Sequence, residues 1–321
     1  MKVTIIGGGG FLGQKLAKAL AAKGELNGNA ISAMTLADVV APGQIEAGFP
    51  VETQQMDITD RAAVDRAVEG AGVIYHLAAI VSAQAEAEYD LGLEINLMGS
   101  LNVFQAARAL GTCPVLVYTS SCAVYGGEIA DPIRDGVELN PQTSYGSQKA
   151  AAELILTDMS RKGFVDGRGL RLPTITVRPG KPNKASTGFM SSIFREPLQG
   201  QPSNCPVGLD FPIWHCSPRT MVRNLVHAAE VPAEEWGKNR CLATPGNTNT
   251  IGEMIEAMTN VAGPDPAKLI TWDEDKWIEG IVSQFTAAVI PEKAMRLGFH
   301  KDESFEDSIR FFLEDDIQPA S

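Results

Sequence analysis

Cysteine and histidine are scarce in this sequence, aromatic residues make up only 7%, and basic residues are outnumbered. The cysteines, Cys113, Cys122, Cys205, Cys216 and Cys241, are odd in number and nowhere two positions apart. That spacing excludes a disulfide framework or a paired-thiolate zinc site. His76, His215, His227 and His300 are scattered, and no metal is expected. Lys+Arg total 27 against 39 Asp+Glu, a net charge of −12. A chain that neutralises many phosphates carries the opposite sign, so neither nucleic acid nor an anionic membrane is an expected partner. No long hydrophobic run is present at the start: the apolar stretch ends at Gly7, too short to span a bilayer or serve as a cleaved leader, and a reducing, cytoplasmic location is expected. What remains is globular composition: 321 residues, 44% of them hydrophobic and 21% charged, enough for two domains or one large α/β unit.

Glycine is placed with purpose. A β-branched run, Lys2–Ile6, leads into Gly7-Gly8-Gly9-Gly10-Phe11-Leu12-Gly13, and Leu16, Ala17, Leu20 and Ala21 then recur at helical spacing. In a strand, turn and helix of this kind Gly7 permits the turn, Gly10 lets backbone N–H groups approach a pyrophosphate, and Gly13 lets helix and strand pack closely. A merely flexible glycine loop would not need the flanking strand and striped helix. A second predicted strand, 33–37, ends at Asp38, whose carboxylate suits the hydroxyls of an adenosine ribose and repels a 2′-phosphate. No Arg or Lys follows within twenty positions, which favours NAD over NADP. Asp57-Ile58 closes a third strand, 51–56, on the adenine side, although Asp57 or Asp60 equally suits the cap of the helix that follows. Further strands at 73–77 and 115–119, with a long helical stretch between them, predict a doubly wound parallel sheet buried on both faces.

The candidate chemistry lies at Tyr145 and Lys149, one helical turn apart. Making a phenol a base near neutrality means lowering its pKa by two to three units, about 3–4 kcal/mol. A cation about 4 Å away supplies roughly that at an effective dielectric near 20. Ser121, at the end of a buried strand, suits donation to an oxygen that gains charge during hydride transfer, or simply satisfies local backbone. Asn96 is a lone amide in an apolar helical stretch, placed to hold a water near Lys149 or to bond across the helix interior.

Gly7-x-x-Gly10-x-x-Gly13, Asp38, Asp57-Ile58, His76-Leu77-Ala78-Ala79, Asn96-x-x-Gly99, Ser121 four before Tyr125, and Tyr145-x-x-x-Lys149 together resemble the extended short-chain dehydrogenase/reductase superfamily over the first 180 residues. The resemblance implies a Rossmann sheet with NAD as cofactor. It also implies a catalytic set of Ser121, Tyr145 and Lys149 with Asn96 as auxiliary. Phe11, Leu12, Leu77, Ala78 and Ala79 would line the cofactor, with either Pro179 or Pro182 beyond the sixth strand. A narrower likeness, carried by Leu170-Arg171-Leu172-Pro173-Thr174, Val177-Arg178-Pro179-Gly180 and Arg195-Glu196-Pro197-Leu198 among other segments, is to the D-erythronate dehydrogenase family. It implies NAD-dependent oxidation of a four-carbon sugar acid to its 2-oxo acid.

Residues 181–321 lose the βα alternation and carry many prolines, as expected of a smaller substrate lobe, with a nominal boundary near 180 that segments cross. A carboxylate substrate calls for arginine, and Arg178, Arg195 and Arg219 are the candidates. Arg219 is preferred, because residues 214–219 fall where related enzymes contact substrate. Ser82 is placed to hydrogen-bond a substrate oxygen. Two other readings compete: a nucleotide-sugar epimerase or dehydratase that retains its NAD, and a non-catalytic dinucleotide sensor. A homodimer is expected by analogy alone.

Overall fold

The computed structural model describes residues 1–128, 131–180, 187–284 and 288–317. Seven parallel strands form the central sheet: β1 (Lys2–Ile6), β2 (Ala33–Asp38), β3 (Val51–Gln55), β4 (Ala71–His76), β5 (Val115–Ser121), β6 (Asp166–Leu172) and β7 (Cys241–Ala243). Their order across the sheet is β7-β6-β5-β4-β1-β2-β3. The order reverses beside β1, and that switch point opens a crevice at the strands' carboxyl ends.

Alternation along the strands explains the burial on both faces. Val3, Ile5, Val73, Tyr75 and Val117 enter one apolar layer, and Ile6, Ile74, Leu116 and Tyr118 enter the other. The first layer packs under α1 (Phe11–Lys23) and the helix Pro218–Glu230; the second packs under Arg61–Val68, Ser100–Ala109 and α2 (Ser144–Arg161). Thr143 caps α2 by accepting from the Gly146 N–H at 3.1 Å, which fixes where Tyr145 begins the first turn.

A second core, built on Ile193, Phe194, Met254, Met258, Phe305 and Ile309, lies in the smaller lobe. Its three-stranded sheet runs in the order Thr174–Ile175, Pro212–Cys216, Asn247–Thr250. The chain crosses between units more than once. β7 pairs with β6 through Cys241 and Gly169, and a Cβ on Gly169 would lie 2.3 Å from the Cys241 sulfur, so the strand needs glycine there. The turn Leu313–Ile317 comes back across the molecule, where Asp316 accepts from the Lys15 ammonium at 2.8 Å. Among the described residues, no helix is long and apolar enough to cross a membrane, and no three His, Cys, Asp or Glu side chains cluster as a metal site.

Candidate active site

The loop after β1 is shaped by what it cannot contain. Gly7 has φ 92°, and a Cβ there would lie 2.6 Å from the Ala78 nitrogen. A Cβ on Gly13 would lie 2.2 Å from the Gly7 carbonyl oxygen, so any side chain would prise α1 off the strand. Helix α1 starts behind Gly10 with no side-chain cap, and Gly10, Phe11, Leu12 and Gly13 all line a cleft of about 250 Å³. Uncapped N–H groups at a helix start suit an anion. Asp38 ends β2 and accepts from the Gly9 N–H at 3.0 Å and the Val40 N–H at 3.2 Å, which pins its carboxylate to the glycine loop. This cradle fits a dinucleotide: the loop at Gly10 could receive a pyrophosphate and Asp38 an adenosine ribose.

On the other wall, Leu77 and Ala78 both donate backbone N–H groups to the Ile6 carbonyl, and Leu77, Ala79 and Ser82 line the cleft with Ser121, Tyr145 and Lys149. Asp57 does not line it. Its carboxylate accepts from the Thr59 N–H and hydroxyl, both at 2.8 Å, while Asp60 caps the following helix; Ile58 packs over Gly99. Asn96 is also withdrawn: its oxygen accepts from the Ile80 N–H at 2.9 Å, and its amide meets that of Gln148 at 2.8 Å. It ties the cleft wall to α2 beside Lys149. Pro179 faces a neighbouring groove with Phe11, Lys15 and Arg219, and Pro182 lies outside the described residues.

Lys149 is fully enclosed, and its ammonium donates to the Thr119 carbonyl at 2.9 Å. It stands 4.8 Å from the Tyr118 ring centroid and 5.8 Å from that of Tyr145. Burial pulls its pKa down to about 7, against a smaller upward pull from Glu153. The Tyr145 phenol is pushed up to about 12, first by burial and then by the Cys122 thiol, with Ser121 and the Arg178 cation pulling it down. Burial is the first cause at both groups, and Arg178 is the cation that pulls the ring hydroxyl down.

A buried ammonium lowers stability wherever it stays charged. Below pH 7 the folded chain bears the full cost, and between pH 7 and the ordinary lysine pKa of about 10.4 the unfolded chain holds more protons, so stability climbs. Lys149→Met is accordingly expected to melt higher than the wild type at pH 6, by about 2 °C or more, with the gap closing as pH rises towards 10. Paired thermal melts across that range check it; a constant or inverted gap contradicts it.

The three arginines separate cleanly. Arg219 stacks 4.1 Å over the Phe311 ring, donates to Glu314 at 2.8 Å and pairs with Asp315, and it lies off the cleft. The preference for Arg219 is corrected, because its charge is already matched by carboxylates more than ninety positions on. Arg195 pairs with Glu196 at 2.5 Å and donates to the Arg178 carbonyl at 3.1 Å. Arg178 lines the cleft. Its Nε donates to the Ile175 carbonyl at 2.8 Å and one terminal nitrogen to the Thr187 hydroxyl at 2.7 Å, while no described carboxylate pairs with it. Burial lowers its pKa to about 10.

Sequence reasoning missed the far wall, formed by Leu172, Pro173, Thr174, Ile175 and Thr187 with Ser120 and Cys122 beside the catalytic candidates. Residues 170–174 were visible only as a likeness. Also missed was Arg171, which grips both Glu153 oxygens at 2.7–3.1 Å and donates to the Tyr125 hydroxyl at 3.0 Å.

A family model described as the NAD dependent epimerase/dehydratase family matches residues 3–232. A D-erythronate dehydrogenase of Cupriavidus necator is 47% identical over 321 residues, covering 98% of each chain. One from Haemophilus influenzae is 39% identical over 318 residues, covering 99% of this chain and all of its own. Among solved structures, a nucleoside-diphosphate-sugar epimerase from Agrobacterium tumefaciens superposes with a TM-score of 0.93 at 42% identity, covering 99% of this chain and 94% of that one.

Proposed function

The chain belongs to the NAD-dependent epimerase/dehydratase family and is an NAD-dependent oxidoreductase; from that premise we propose that it oxidises D-erythronate, or a close four-carbon aldonate, to the 2-oxo acid with release of NADH. Full-length similarity to two D-erythronate dehydrogenases supports the substrate class. The observation that carries the reading in the site is Arg178, a half-buried guanidinium that no described carboxylate pairs with, in the same cleft as Tyr145 and Ser121. A charged, pre-oriented fork of this kind matches a carboxylate.

Gly7, Gly10, Phe11, Leu12 and Gly13 would hold the pyrophosphate of NAD, Asp38 its adenosine ribose, and Leu77, Ala78 and Ala79 its flank. When bound, NAD⁺ would supply the hydride acceptor and positive charge. Arg178 anchors the substrate carboxylate, and Ser82 meets a hydroxyl. Tyr145 takes the proton from the carbinol oxygen, Ser121 donates to that oxygen as its charge grows, and Lys149 holds the nicotinamide ribose and lends positive charge to the phenolate. Asn96 positions the Ile80 backbone and Gln148 without touching substrate.

A screen of C4 to C6 aldonates with NAD and with NADP, followed at 340 nm, tests the reading. Stoichiometric NADH from D-erythronate with NAD supports it; tightly retained NAD with no net absorbance change on any acid favours the epimerase alternative. Gly10→Ala separates cofactor cradle from scaffold. Gly10 has φ −71°, and its Cβ would meet only the Gly7 oxygen at 3.4 Å, so the fold should keep its melting temperature. Calorimetry should show NAD binding weakened about tenfold, because the methyl stands where the pyrophosphate closes on the loop; unchanged affinity would move the pyrophosphate elsewhere.

A further inference from the structure

Lys149 is short of partners for a cation. Its ammonium has three protons, and its neighbours are one neutral carbonyl at 2.9 Å and two aromatic faces. Among the described residues no carboxylate lies within 4 Å of it. One helical turn further on, Glu153 is almost as deeply enclosed, with its side chain 3% exposed, and Arg171 clamps it from β6 through both oxygens. The pair has no net charge, yet its ends are unequal neighbours of Lys149. Glu153 shares the helix face with Lys149 at i+4, while the guanidinium is directed to Tyr125, whose ring lies 5.3 Å from it.

We propose that Glu153, held by Arg171, is the positioning group that keeps Lys149 charged, and thereby sets the pH at which the catalytic helix can work. The inference rests on the proposed role of Lys149 for its catalytic meaning and on the geometry alone for its electrostatics. A carboxylate fixed one turn away in a dry interior stabilises the ammonium strongly, whereas in water it would be screened. Arg171 keeps the carboxylate from swinging onto Lys149 and forming a direct salt bridge, which would draw the ammonium away from the cleft.

The other groups around Lys149 do not perform this function. On its own helix Tyr145 carries a proton at neutral pH. On β5 Tyr118 presents its ring face, and on β4 His76 is held neutral by burial and by the Lys149 charge itself. On β7 burial keeps the Cys241 thiol protonated, and Cys122 is likewise pushed up to about 11. Arg178, across the cleft, is cationic and opposes the lysine charge. Glu153 is left as the anion that raises the Lys149 proton affinity.

The test is direct titration of Lys149 by NMR on protein labelled at lysine Cε, with Lys149→Met assigning the signal. The wild-type midpoint is expected at about 7. Glu153→Gln should weaken proton binding at Lys149 at least about tenfold, one pH unit downward, and Glu153→Asp should restore most of it. Because Glu153→Gln strands a buried arginine and can fail to fold, Glu153→Gln/Arg171→Met is titrated beside it and should show the same downward move. An unchanged Lys149 midpoint in either variant overturns the proposal, since a purely structural ion pair would leave it in place. The pH profile of NAD reduction gives the second readout: it should be displaced from the wild-type profile in Glu153→Gln and return most of the way in Glu153→Asp. If no aldonate is oxidised, the functional reading fails while the NMR midpoints stand; if the midpoints fail, the substrate screen stands.

Discussion

Tyr145→Phe is expected to lose turnover by on the order of 10²-fold or more, with NAD affinity within about twofold of the wild type. The substitution removes one oxygen and keeps a ring that burial already holds in place, so the fold and the cofactor cradle have little reason to change. What disappears is the phenol oxygen, which shares the cleft with Ser121 and which we propose takes the substrate's proton. The wild type carries a second signature. With the phenol held near 12 by burial before the Cys122 thiol adds its smaller push, oxidation should accelerate with rising pH and the reverse reduction should slow. The phenylalanine variant should lose that slope along with its activity. Steady-state rates from pH 6 to pH 10 measure both, and near-normal turnover with an intact slope would remove Tyr145 from the mechanism.

Arg178→Gln is expected to raise KM for the acid by about 10- to 100-fold, the range for a charge-assisted hydrogen bond in a buried site, with a smaller effect on NAD. Arg178→Lys should recover only part of the loss. The guanidinium is braced on the Ile175 carbonyl and Thr187 hydroxyl, and a lysine has no planar fork to span those two and still face substrate. Arg219→Ala serves as the contrast and should leave KM within about twofold, because exposed ion pairs contribute little. A strong KM effect at Arg219 with none at Arg178 would reverse the assignment of the carboxylate.

The contrast between these two arginines shows what could be read from the sequence and what could not. The glycine turn, Asp38 and the Tyr145/Lys149 pair were legible because each depends on local spacing: a strand feeding a turn, a carboxylate at a strand end, two side chains one turn apart. An arginine's availability is not local. Arg219 is neutralised by Glu314 and Asp315 from the far end of the chain, while Arg178 has no described carboxylate partner. Glu153 and Arg171 were invisible for the same reason, since they stand 18 positions apart and meet only because α2 lies across β6. Asp57 and Asp60 were both readable as the helix cap, and Asp60 is the one that caps, while Asp57 accepts from Thr59.

The parallel sheet gives the molecule two dissimilar rims. Every central strand delivers its carboxyl end to the crevice, so the first residue, whose amino group donates to the Ala30 carbonyl, sits at the opposite rim. The acidic turn near the other terminus instead rests on Lys15, one turn into the helix that starts at the glycine loop. A tether, affinity handle or fluorophore fused ahead of Met1 should therefore leave nucleotide entry undisturbed. An addition grafted onto the turn 313–317 would instead bring bulk close to the doorway.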